Sequence, residues 1–61
     1  MHPLMPRIEA FCARTGMAET TLGSLSVKDS RFVARLRAGR VTLRSCERVA
    51  AWLDEQERAA A

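Results

Sequence analysis

Histidine is nearly missing from this 61-residue chain: His2 is the only one, and it stands in the first few residues. With no side chain that titrates near neutrality in the body of the chain, general acid-base catalysis lacks an agent, which points away from an enzyme. Cysteine is sparse as well. Cys12 and Cys46 form no CxxC pair and, with one histidine, make up no zinc set, so no metal or other cofactor is expected and the two read as reduced thiols in the core. No apolar run approaches the roughly 20 residues that cross a bilayer, and Met1-His2-Pro3-Leu4-Met5-Pro6 lacks the charged and apolar blocks of a signal peptide. The expectation is a cytoplasmic chain with no membrane partner. Strand patterns, internal repeats and linkers are missing too, and the only biased piece is Ala59-Ala60-Ala61, expected to fray.

What is present is globular in composition, 48% apolar and 28% charged, and long enough for one domain over 1–61. Its core is expected over 6–57, with an arm at 1–5 and a tail at 58–61. A chain of this size buries only about 60% of the surface its unfolded form exposes, so its stability is expected to be marginal.

The net charge of +3 hides an asymmetry. Between positions 28 and 48, Lys28, Arg31, Arg35, Arg37, Arg40, Arg44 and Arg48 face only Asp29 and Glu47, a net of +5. Outside that window Arg7, Arg14 and Arg58 are outnumbered by Glu9, Glu19, Asp54, Glu55 and Glu57, a net of −2. Six of the seven clustered cations are arginine, whose rigid fork suits phosphates and guanine edges, so a nucleic-acid partner is weighed ahead of a merely solvated basic face.

Helical periodicity organises the chain. A first helix opens at Pro6, shows Ile8, Phe11 and Cys12 at i, i+3, i+4 spacing and stops at Gly16. A second, Ala18 to about Ser26, places Leu22 and Leu25 on one face with Met17 as a further anchor. Gly23 lies inside it, where glycine costs about 1 kcal/mol relative to alanine, so a close helix crossing is expected there. Asp29 caps a third helix from Ser30 to Ala38 that Gly39 ends, with Phe32, Val33 and Leu36 inward and Ser30, Arg31, Ala34, Arg35 and Ala38 outward. The last helix runs from a Thr42 cap to about Glu57 on the stripe Leu43, Cys46, Val49, Ala50, Leu53, with Trp52 at its edge as core flank or subunit contact. Its charges oppose the helix dipole at both ends, which suggests that something other than helix stability selected them.

Leu22-Gly23, Val33, Leu36 and Gly39 fall at the spacing seen in phage-repressor-like, Xre-like helix-turn-helix proteins, and over 6–57 the chain resembles that family. Two positions depart from the pattern: Ala18 stands where the family usually has a Ser or Thr cap, and Val27-Lys28 where a glycine makes the turn, so Ser26 or Lys28 is expected to bend the chain. The resemblance implies an all-α fold of the lambda-repressor-like kind, with four compact helices or at most five. It further implies a transcriptional regulator of phage or phage-derived genes, expected to repress, that inserts the helix from Asp29 to Ala38 into the major groove of double-stranded DNA. The base-reading positions fall on Ser30, Arg31 and Arg35, and Thr20, Lys28, Arg40 and Arg44 are expected to hold phosphates. One such helix reads few base pairs, so a homodimer on an inverted repeat is expected, through Val49, Trp52 and Leu53 or through Leu4 and Met5 in the arm. No small-molecule ligand is expected. The rival is a helical protein-interaction adaptor, antitoxin-like or polymerase-binding, whose basic face docks on an acidic partner.

Overall fold

A computed structural model describes residues 3–60. It is all-helical, with four helices in the order α1 (Leu4–Thr15), α2 (Glu19–Val27), α3 (Phe32–Arg37) and α4 (Leu43–Ala60). The all-α four-helix expectation is met. His2 lies outside the described residues.

Helix α1 starts two residues before Pro6, which occupies the first turn, where its missing amide proton leaves no helical hydrogen bond unmade. Leu4 and Met5 therefore belong to the helix and sit in the core at 7% and 2% exposure, not in a free arm. They have too little surface to join a second subunit. At the other end of the chain α4 runs to Ala60, beyond the expected stop near Glu57.

The core gathers Leu4, Met5, Ile8 and Phe11 of α1, Leu22 of α2, Phe32, Val33 and Leu36 of α3, and Cys46, Val49 and Leu53 of α4. Helices α1 and α2 each pack on all three others, whereas α3 and α4 make no close backbone approach to each other. Two residues expected to face inward do not. Leu25 is 57% exposed and Leu43 75%, because a helix with neighbours on one side buries a narrower stripe than the periodicity offers. Val49 and Leu53 are fully enclosed within this chain's own core, which leaves them no surface for a subunit contact. Trp52 sets its ring edge-on to Phe11, with centroids 5.4 Å apart, and so flanks the core between α4 and α1. Both thiols are free, Cys46 buried and Cys12 half-buried; burial, helped by the nearby charge of Glu19, pushes the Cys12 thiol up and keeps it protonated.

The acids near the end of α4 have a tertiary reason. Arg7 of α1 donates to Glu57 at 2.8 Å and pairs with Asp54, so these carboxylates tie the two long helices together. Thr42 caps α4 as expected, its hydroxyl oxygen accepting the Ser45 amide at 3.1 Å.

Candidate nucleic-acid interface

The α2–α3 pair is set by the close approach at Gly23. A Cβ there would fall on the carbonyl oxygen of Asp29, well inside van der Waals contact, and 3.3 Å from Phe32 Cβ. The crossing expected at this glycine is therefore with the turn that leads into α3, and with the first residue of α3. The Gly23 carbonyl also accepts the Asp29 amide at 3.1 Å, so the same residue is bonded to the chain that presses on it.

Lys28 makes the turn. Its φ of 56° and ψ of 38° place it in the left-handed region, the conformation for which glycine is the usual choice, and its amide returns to Ser24 at 3.1 Å. Asp29 then organises the approach to α3. Its Oδ1 accepts the Arg31 amide at 3.0 Å and its carbonyl accepts the Phe32 amide at 3.1 Å. This carboxylate cap closes a turn ahead of the helix, so α3 begins at Phe32 and is shorter than the Ser30–Ala38 span read from periodicity. Ser30 lies in the turn and Arg31 is the residue immediately before the helix. The Arg35 amide still bonds to the Arg31 carbonyl at 3.0 Å, which keeps the two arginines one helical turn apart. At the far end the amides of Gly39 and Arg40 return to Leu36 and Arg35 at 3.0 and 2.8 Å, with Gly39 at φ 72°, a closing turn that only glycine takes without strain.

Thr20, Lys28, Ser30, Arg31, Arg35, Arg40 and Arg44 are all exposed. Lys28, Ser30, Arg31 and Arg35 lie on one continuous stretch, the turn and the front of α3. Thr20 stands at the second position of α2, Arg40 on the connection after α3, and Arg44 at the second position of α4. The ion pairs divide the cations. Among the described residues Lys28, Arg31, Arg40 and Arg44 join none, whereas Arg35 pairs with the Asp29 carboxylate while keeping 49% of its side chain exposed.

Arg37 is the second engaged arginine of α3. Its guanidinium grips Glu19 at the start of α2 through two bonds of 2.7 and 2.6 Å and lies 3.7 Å from Glu9 of α1. This fork holds the Glu19 carboxyl below its ordinary value. Neither engagement is visible from spacing: Asp29 and Arg35 are six residues apart, which no helical register brings together, and Glu19 is eighteen from Arg37.

Beside this surface an open cleft of about 570 Å³ separates the end of α3 from the start of α4, lined by Leu36, Ala38, Gly39, Val41, Leu43 and Cys46 among others. Among the described residues no cluster of three His, Cys, Asp or Glu side chains could hold a metal, and no helix is long and apolar enough to cross a membrane. Comparison with family models, with curated proteins and with solved structures gives no match to this chain.

Proposed function

We propose that this chain is a sequence-specific DNA-binding regulator, a repressor acting on phage or phage-derived genes, that docks the 28–37 segment in the major groove. The observation that carries this reading is the build of that segment. Phe32, Val33 and Leu36 are at most 3% exposed and anchor a short rod, from whose outer side Arg31 and Arg35 extend. A rod held so firmly from beneath presents its arginines to a base edge with little further ordering, and each suits guanine O6 and N7. Lys28, Arg40 and Arg44, with the Thr20 hydroxyl at the head of α2, supply phosphate contacts that set the register. Two copies on an inverted repeat, with half-sites about 34 Å apart, extend the few base pairs that one rod reads.

Selection of bound sequences from a random duplex pool tests this reading. The expected product is a short, two-fold symmetric consensus containing guanine. A pool that stays uniform refutes it and favours a second reading, a protein-interaction adaptor, for which the exposed Leu43 beside the α3–α4 cleft is the specific support.

A further inference from the structure

Asp29 is the one acid within the basic turn-and-α3 stretch, and each of its acceptor groups is engaged. Oδ1 holds the Arg31 amide at 3.0 Å, Oδ2 pairs with the Arg35 guanidinium through Nη2, and the carbonyl oxygen takes the Phe32 amide at 3.1 Å while resting against Gly23. Its side chain is 25% exposed against 49% for Arg35, so Asp29 is the more enclosed member of the pair.

We propose that Asp29 is a specificity-determining positioning residue, which fixes the orientation of Arg35 and makes that side chain a reader of guanine instead of a phosphate-seeking cation. This rests on the DNA reading above. With Nη2 paired to the Asp29 carboxylate, Arg35 keeps the Nη1 donors and the second Nη2 hydrogen for the paired acceptors of a guanine edge. A freely rotating arginine would pair with whichever phosphate is nearest, on any sequence. The negative charge of Asp29 adds to the effect, because it opposes the approach of a phosphate to this spot and so penalises docking that does not place a base edge there. Arg31, whose amide Asp29 holds but whose guanidinium joins no ion pair among the described residues, lacks this control. Of the two base readers, Arg35 therefore carries the larger share of the discrimination.

The test uses the full chain and its selected duplex, with a scrambled duplex and one in which the consensus guanine is replaced as controls at a single salt concentration. Asp29→Asn retains an Oδ1 acceptor for the Arg31 amide, and circular-dichroism melting checks that it folds; Asp29→Ser serves the same purpose if the first variant does not. The expected result is discrimination against the guanine-replaced duplex reduced about tenfold, with binding to the scrambled duplex tightened. In an Arg35→Ala background the substitution is expected to leave discrimination unchanged, because its effect passes through Arg35. A variant that discriminates as the parent does overturns the positioning role alone, as does an equal loss with and without Arg35. A parent that prefers no duplex overturns the DNA reading, and this inference with it.

Discussion

At Gly23 the usual effect of glycine on a helix is reversed by its surroundings. On an open helix face, alanine in place of glycine raises stability by about 1 kcal/mol. Here the added methyl meets a backbone carbonyl that cannot rotate away, a displacement that costs about 1–3 kcal/mol, so Gly23→Ala is expected to lower the melting temperature, and the sign of the change is the check. Lys28 predicts the opposite direction. A left-handed lysine costs about 1–2 kcal/mol over an unstrained residue, of which glycine recovers about half after its own entropy cost, so Lys28→Gly is expected to melt higher. On the DNA-binding proposal the same variant binds every duplex more weakly, a separation of stability from affinity that a purely structural lysine would not show. Glu19 adds a pH dependence. Its carboxyl is lowered when folded, so the stability it contributes is present above its ordinary value and is lost as the pH falls through the lowered one. Glu19→Gln is therefore expected to melt below the parent at neutral pH and to converge with it in strong acid, where both side chains are neutral. The effect is small, because the pair is partly solvated.

At the scale of elements, α3 is six residues long and far too short to persist alone, so its helicity depends on what lies beneath it. Phe32→Ala removes the largest of its anchors at a cost of about 3–5 kcal/mol. A domain of this size has roughly 3–9 kcal/mol in all, so the variant is expected to be largely unfolded near 37 °C by circular dichroism. The periodicity of the chain located four helices in the right order and named Phe32, Val33 and Leu36 as the anchors of the third. It placed the start of that helix too early, because Asp29 can cap either a helix or a turn and only the packing of its carbonyl against Gly23 selects the turn. It also read Leu25 and Leu43 as inward, since a pattern reports which side of a helix is apolar and not how much of that side a neighbour covers.

On the scale of the whole molecule, some cations sit in ion pairs that join helices, whereas others join no ion pair among the described residues. Arg7 ties α1 to α4 and Arg37 ties α3 to α2, while Lys28, Arg31, Arg40 and Arg44 remain for a partner. If Lys28, Arg40 and Arg44 hold phosphates as proposed, Arg44→Ala weakens binding to selected and scrambled duplexes alike and reduces the slope of log affinity against log salt by about one. The molecule measures 32 × 21 × 20 Å, so two copies fit side by side on half-sites one helical turn apart. Sedimentation with an inverted repeat is expected to give two copies per duplex, and one with a half-site. Val49 and Leu53 are excluded from the pairing surface by their burial.

Local chemistry alone determined the four helices, the hydrophobic anchors, the Thr42 cap and the concentration of arginine, because these depend on residues within a turn or two of one another. Only the folded arrangement decided which arginines are engaged. Arg37 differs from Arg31 through carboxylates at 19 and 9, at distances set by how three helices close on one another, and Arg35 differs through Asp29, which reaches it from a turn that the packing on Gly23 selects.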